Sequence, residues 1–160
     1  MKFEKFLKGV GTHGQILERA NGDKWLLCES VGMKIPKGVE NLLGAGKTGD
    51  LTSAITEEIL RADTSDDTLT LRRAILRDPA GKAGDIIRVF ETGLTVELEI
   101  NTIGIYNGDY GLLEKKDKLT YLEIEDYPDS NGECKIIKVM VVLDRTTNEP
   151  IGYISGVENI

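Results

Sequence analysis

The stretch LTYLEIEDYPDSNGECKIIKVMVVL, residues 119–143, decides the fold class of this chain. Its first part, Leu119–Glu125, combines aromatic and β-branched residues, and its last part, Ile136–Leu143, is almost continuously apolar. The turn-forming residues between them predict that the two parts are strands of one hairpin. The apolar continuity of Ile136–Leu143 further predicts a strand that is covered on both faces.

Working outward from this hairpin, the same signals recur along most of the chain. Asn21-Gly22 predicts a type I′ turn, which requires positive φ at both central residues. Further strands are expected at Gln15–Arg19, Lys24–Cys28, Thr68–Arg77, Asp85–Phe90, Leu94–Ile100 and Ile151–Val157. Successive strands with short connections predict a mainly β (α+β) fold, arranged as an antiparallel sheet, a barrel or a sandwich.

The strand expected at Leu94–Ile100 alternates in polarity and follows a turn at Glu91-Thr92-Gly93. Its even positions are apolar, and Glu97 and Glu99 are expected together on the solvated face. Paired carboxylates can perform acid–base catalysis in a cleft. On an antiparallel sheet they are more often the solvated face, which is the interpretation favoured here.

Two helices are expected beside the strands. Leu51, Ile55 and Ile59 form an apolar stripe after Asp50, which predicts one short central helix. The spacing of the apolar residues in Lys2–Lys8 predicts an N-terminal helix. The length of 160 residues fits a single domain over 1–160.

Two segments are candidates for contacts with other subunits: an N-terminal arm, 1–11, and a glycine-rich but apolar segment, 29–50. The alternatives are a helix docked on the chain's own core and a flap folded over the chain's own sheet. Long loops in compact domains are usually functional or disordered, and the apolar content argues against disorder. The expected partner-binding residues are Phe3, Phe6, Leu7, Val31, Met33, Ile35, Leu42 and Leu43.

Charge and composition restrict the class of partner. The net charge of −7 disfavours direct binding to a phosphate backbone, so no nucleic-acid partner is expected. No apolar run reaches the length of a membrane span, and no membrane association is expected. Cys28 and Cys134 lie in apolar surroundings far apart in sequence, which predicts two free thiols and synthesis in the cytoplasm.

Three motifs that could support chemistry are incomplete. Gly44–Thr48 resembles the end of a phosphate-binding loop, but Asn41 stands where that loop needs glycine. Asp129–Gly132 resembles part of a calcium loop, but too few oxygen ligands accompany it. His13, the chain's only histidine, lies between glycines without a recognisable catalytic partner. We therefore expect no catalytic residues, no metal site and no cofactor, and the chain is not expected to be an enzyme.

The opening FEKFLKGVGTHGQI, the segment VGMKIPKGV and the acidic β-rich body resemble small structural proteins of tailed-bacteriophage virions, such as capsid-decorating proteins. This resemblance implies a non-enzymatic component that binds repeated capsid or connector subunits and is incorporated into a virion.

Two other functions stay open at this point. One is an acidic inhibitor or regulator whose carboxylates, including Glu123, Glu125, Asp126 and Asp129, occupy a basic site on another protein. The other is a small enzyme or a ligand-binding β-barrel. Of the three, a structural protein that forms homo- or hetero-oligomeric assemblies is the expected function.

Overall fold

The structure is a computed structural model that describes residues 1–10, 13–19, 21–38, 51–61, 75–77, 87–126 and 135–157. The helices in these residues are α1 (Phe3–Val10), α2 (Leu51–Arg61) and α3 (Asn107–Tyr110). The strands are β1 (Gln15–Glu18), β2 (Lys24–Cys28), β3 (Val31–Lys34), β4 (Ile75–Arg77), β5 (Ile87–Val96), β6 (Glu99–Tyr106), β7 (Lys118–Asp126), β8 (Lys135–Leu143) and β9 (Pro150–Ser155). No helix in the described part of the chain is long and apolar enough to cross a membrane.

The strands form two antiparallel sheets, so the expected mainly β, α+β class is confirmed. The larger sheet has the order β1-β2-β3-β9-β8-β7, and the smaller has the order β4-β5-β6. Both are open sheets within the described residues, which agrees with a sandwich-like arrangement and not with a closed barrel.

Strand β8 lies at the centre of the layered structure, as its apolar sequence predicts. Met140 and Val142 belong to a hydrophobic cluster with Phe90, Ile103 and Ile105 of the smaller sheet. Alternate β8 residues point the other way into a second cluster, which includes Ile59 of α2. Residues 139–142 are fully buried. Since each buried aliphatic side chain contributes about 1.5–3 kcal/mol, this strand supplies much of the hydrophobic stabilisation.

The N-terminal residues form a helix, as expected, and it lies on the chain's own core. Phe6 and Val10 are buried in the cluster that contains Met140. The Met1 amino group also forms an ion pair with Asp117, with 2.8 Å between nitrogen and carboxylate oxygen. Residues 1–10 are therefore in the docked arrangement and not in that of a free arm.

The prediction of a turn at Glu91-Thr92-Gly93 is wrong. Strand β5 continues through these residues with an irregular register between Glu91 and Thr95, and the chain reverses six residues later than predicted, at Glu97 and Leu98. The polarity alternation of Leu94–Ile100 is typical of one strand. The structure instead divides these residues between two strands and the turn that joins them.

The turn between β1 and β2 also differs from the prediction. Gly22 has a φ of 89°, but Asn21 is not among the residues with positive φ, so the turn is not type I′. Its hydrogen bonds run from Gly22 N–H to the Arg19 carbonyl (2.9 Å) and from Arg19 N–H to the Asp23 carbonyl (2.8 Å). The loop therefore includes more residues than the two-residue connection that Asn-Gly indicates.

Candidate functional site

The connection between β5 and β6 is a two-residue turn formed by Glu97 and Leu98. Val96 pairs with Glu99 across the turn, so Glu97 and Leu98 are its only two residues. Both have positive φ, 51° for Glu97 and 70° for Leu98. Positive φ at both central residues is the mark of a type I′ turn, whose twist matches that of the flanking strands.

Glutamate and leucine are poor residues for such a turn. Type I′ turns favour Asn-Gly because glycine has no Cβ and asparagine tolerates the left-handed region. For other L-residues this region costs about 1–2 kcal/mol each, and a bulky residue there is an outlier. Strain of this kind is concentrated at functional sites. The stability of the turn therefore does not explain why Leu98 occupies it.

The side chain of Leu98 is also in solvent. It is 98% exposed, against 57% for Ile136, the next most exposed large hydrophobic residue described. Glu97 and Glu99 beside it are exposed as well. Single exposed leucines are ordinary on protein surfaces. This one combines near-complete exposure with a strained backbone, and the three residues 97–99, here called the Leu98 tip, present one apolar side chain between two carboxylates.

The path of β6 across the larger sheet shows where the tip lies. Val157 N–H donates to the Gly104 carbonyl (2.8 Å) beyond the end of β9, and Lys138 Nζ of β8 donates to the Thr102 carbonyl (2.7 Å). One residue nearer the start of β6, Asn101 Nδ2 donates to the Tyr121 hydroxyl of β7 (3.1 Å). From Gly104 back to Asn101, the contacts of β6 therefore pass from the residues after β9 to β8 and then to β7, an edge strand. The tip lies close to Asn101 in sequence, at the end of β6 that makes the β7 contact.

A second surface feature is an apolar cleft of about 320 Å³ where α1, β3 and β9 meet. Two lysines, Lys34 and Lys37, lie at this cleft; Lys37 is exposed, and Lys34 Nζ is 3.4 Å from an Asp23 carboxylate oxygen. The apolar lining is Met1, Phe3, Met33, Ile35, Pro36 and Ile151. A larger depression of about 770 Å³ borders Glu114 and Asp117, and Asp117 there is already paired with the Met1 amino group.

The residues expected to bind a partner fall into three groups. Phe3, Met33 and Ile35 line the cleft, although Met33 and Ile35 are themselves nearly inaccessible. The others that are described belong to the hydrophobic core or pack against it: Phe6, Leu7 and Val31. Phe6 and Val31 are buried in this conformation, whereas Leu7 is only partly buried. Leu42 and Leu43 lie outside the described residues, and their role stays a prediction.

Segment 29–50 is described as far as residue 38, and this part follows the core-flap alternative. Val31–Lys34 forms strand β3 in the middle of the larger sheet, which the glycines of the segment had obscured. Gly32 is needed there because the ring of Tyr153, its cross-strand partner, occupies the space of a Cβ. The glycine is thus a packing feature and not a sign of a loop.

Cys28, Asp109 and His13 are the described residues whose surroundings bear on possible chemistry. Burial, with smaller effects of Glu29 and Asp109, raises the pKa of the Cys28 thiol, which favours the unreactive protonated form. Ser30 Oγ donates to Asp109 (3.0 Å), and His13 is an exposed residue whose backbone N–H bonds to the Val10 carbonyl. Within the described residues, no group of three His, Cys, Asp or Glu side chains is placed to hold a metal ion.

The described carboxylates named in the sequence analysis lie in two places, the β5–β6 connection and strand β7. Glu97 lies in the turn and Glu99 begins β6, so the prediction that they share one face of a strand is wrong. Glu123 and Glu125 are both exposed on β7, and Glu123 accepts a hydrogen bond from the Tyr121 hydroxyl (2.5 Å). Burial and this bond both raise the pKa of Tyr121, so its hydroxyl acts as a donor. Both the Gly44–Thr48 motif and the Asp129–Gly132 motif lie outside the described residues.

Comparison with protein-family models, with curated proteins and with solved structures gave no significant match to this chain. The Leu98 tip and the cleft are therefore the features of the described structure that bear on function. Sequence reasoning missed the tip because Val96–Glu99 alternates in polarity like a strand, and neither Asn nor Gly marks the turn.

Proposed function

We propose that this chain is a non-enzymatic assembly protein that binds a neighbouring protein subunit through the Leu98 tip. The observation that carries the proposal is the strained, fully exposed Leu98 at the end of the β5–β6 hairpin. In an isolated chain the left-handed backbone of Leu98 lowers stability, and its exposed side chain contributes no compensating burial. Burial of one leucine in a partner contributes about 1.5–3 kcal/mol, which is enough to offset the strain.

The assembly is of the kind that the bacteriophage resemblance implies, in which a small protein binds repeated subunits. A virion component stays a proposal, and its test is whether the protein copurifies with particles. The acidic-inhibitor alternative stays a prediction: Glu123 and Glu125 are exposed on β7, and Glu123 also accepts a hydrogen bond from Tyr121.

The proposal predicts that Leu98→Ser removes partner binding without unfolding the chain. Immobilised wild-type and Leu98→Ser chains are compared for the proteins they retain from an extract of the source organism, and a benzophenone amino acid at position 98 identifies the direct contact by photo-crosslinking. We expect retention of the crosslinked partner to fall at least ~10-fold in the variant, since ~1.4 kcal/mol corresponds to a factor of ten.

The matched control is Ile136→Ser, which changes the other strongly exposed aliphatic residue, on β8. It should retain the partner like the wild type. Equal retention by Leu98→Ser and the wild type, with no crosslink from position 98, would show that the tip is not a binding site.

A further inference from the structure

We infer that the subunit that receives the Leu98 tip is a second copy of this chain, and that it does so in the apolar cleft between α1, β3 and β9. This inference rests on the proposed function, because it uses the same tip. It adds the identity of the partner and the surface that the partner contributes.

The tip and the cleft are complementary in chemistry. The tip has one apolar side chain, Leu98, with a carboxylate on each side, and the cleft has an apolar floor with Lys34 and Lys37 beside it. A leucine in the cleft would bring Glu97 and Glu99 towards these lysines. Two copies of a chain with a net charge of −7 repel each other in general, so association requires a local match of opposite charges.

The cleft has room for an additional aliphatic group. Its volume of about 320 Å³ is at the lower end of the range for small-molecule sites. It lies where hydrophobic residues of three elements meet, and its floor is continuous with the main hydrophobic cluster, to which Met33 and Ile35 belong. A leucine entering it extends the core instead of creating a separate contact.

The two surfaces belong to different parts of the molecule. The cleft is formed by α1 and by β3 and β9 of the larger sheet, whereas the tip joins β5 and β6 of the smaller sheet, at the end of β6 that contacts β7. Since Leu98 is 98% exposed, it does not occupy the cleft of its own chain. A contact from tip to cleft between copies is heterologous, so repetition gives a ring or an open chain of subunits.

The test measures the oligomeric state of the 160-residue chain by sedimentation velocity over a range of concentrations. A contact centred on one side chain is a small interface, which predicts weak association, on the order of 10–1,000 μM. We expect the wild type to form species larger than a monomer in that range. Leu98→Ser, which removes the tip, should weaken this association at least ~10-fold, and Ile136→Ser should not.

The decisive measurement mixes two variants that each lack one half of the contact. Leu98→Ser has a functional cleft only, and Lys34→Glu/Lys37→Glu has a functional tip only. Each alone should be monomeric, and an equimolar mixture should form a 1:1 dimer with no larger species. An interface that used the same patch on both copies would not give this result.

A charge exchange tests the contact with net charge held constant. Glu97→Lys/Glu99→Lys should weaken association, and adding Lys34→Glu/Lys37→Glu to it should restore association while the net charge returns to −7. Since Lys34 also pairs with Asp23, Lys37→Glu alone is the substitute if the double variant does not fold. Circular dichroism melts establish that each variant is folded.

The outcomes separate this inference from the proposed function. A wild type that is monomeric up to ~1 mM overturns the inference, while a Leu98-dependent contact with another protein keeps the proposed function. Self-association that is as strong in Leu98→Ser as in the wild type, or a mixture that stays monomeric, also overturns the inference. If Leu98→Ser changes neither self-association nor the retention of any partner, both are wrong.

Discussion

At the scale of single residues, folding shifts the pKa values of two aspartates in opposite directions. Asp109, on α3, accepts a hydrogen bond from Ser30, yet burial and the charge of Glu29 raise its pKa above the ordinary value of 3.8. Asp144 accepts backbone N–H bonds from Thr146 (2.7 Å) and Thr147 (3.1 Å), and these bonds lower its pKa. The protonated form of Asp109 and the ionised form of Asp144 are therefore the ones that folding favours.

Because the two pKa values shift in opposite directions, the contributions of Asp109 and Asp144 to stability have opposite pH dependences. For Asp109 the folded pKa is raised, so its contribution to stability is fully present below pH 3.8 and is lost as the pH rises through the folded pKa. Asp109→Asn, which keeps an acceptor for Ser30, should therefore increase the melting temperature at pH 7. The difference from the wild type should disappear in acid below 3.8.

Asp144→Asn is the control with the opposite sign. The contribution of Asp144 is present above its ordinary pKa and is lost as the pH falls through its lowered value, so this variant should be less stable than the wild type at pH 7. Melting curves from pH 3 to 8 check both expectations. A lower melting temperature for Asp109→Asn at pH 7 would contradict the burial argument.

At the scale of elements, prediction from sequence succeeded where local pattern and tertiary packing agree. Strand β8 was predictable because residues with no polar face must be covered on both sides. Strand β3 was not, because its Gly32 is explained only by the ring of Tyr153 from β9. The β5–β6 turn was not predictable either, because Glu97 and Leu98 adopt a conformation that their residue types disfavour.

A variant of the β5–β6 turn can therefore separate the effect of Glu97 and Leu98 on stability from their effect on binding. In Glu97→Asn/Leu98→Gly the turn has the residues that a type I′ turn favours, which removes strain of about 1–2 kcal/mol per residue, less about 0.5–1 kcal/mol for the flexibility of glycine in the unfolded chain. We expect the free energy of unfolding in urea to increase by about 1–3 kcal/mol. The same variant should lose tip-dependent binding.

If the Glu97-Leu98 turn is already the stable arrangement, the double variant will not increase the free energy of unfolding. Unchanged or lower stability of Glu97→Asn/Leu98→Gly would show that the left-handed turn is not strained. The strand substitution Thr102→Val, outside the turn on β6, serves as a comparison for general effects on the hairpin, and it should not reproduce the gain in stability.

At the scale of the whole molecule, a polar network holds the two sheets together beside the hydrophobic contact. Lys138 of β8 donates to Asn101 Oδ1 (2.9 Å) and to the Thr102 carbonyl (2.7 Å) of β6. Asn101 in turn donates to the Tyr121 hydroxyl of β7, which donates to Glu123. The sequence could not predict this network, because a lysine in an apolar strand indicates only an interruption until the crossing strand is known.

The network places β6, and with it the direction in which the Leu98 tip extends, so its loss should affect both stability and tip-dependent binding. Lys138→Met keeps the length of the side chain but leaves Asn101 Oδ1 and the Thr102 carbonyl without this charged donor. Both acceptors are partly buried, and a buried acceptor that loses its partner costs about 1–3 kcal/mol. For these two acceptors together we expect the free energy of unfolding to fall by about that amount.

The control for this prediction is Lys118→Met on β7, whose ammonium donates to Asn148 Oδ1 (2.7 Å) in the β8–β9 turn and not to the smaller sheet in the described residues. It should cost less than Lys138→Met, about 0.5–1.5 kcal/mol for one hydrogen bond. Urea unfolding measures both, and amide exchange of β6 shows where the loss occurs: Lys138→Met should accelerate exchange in β6, and Lys118→Met should not. Equal costs with unchanged exchange in β6 would mean that hydrophobic packing alone sets the crossing of the sheets, and the tip would then keep its direction without Lys138.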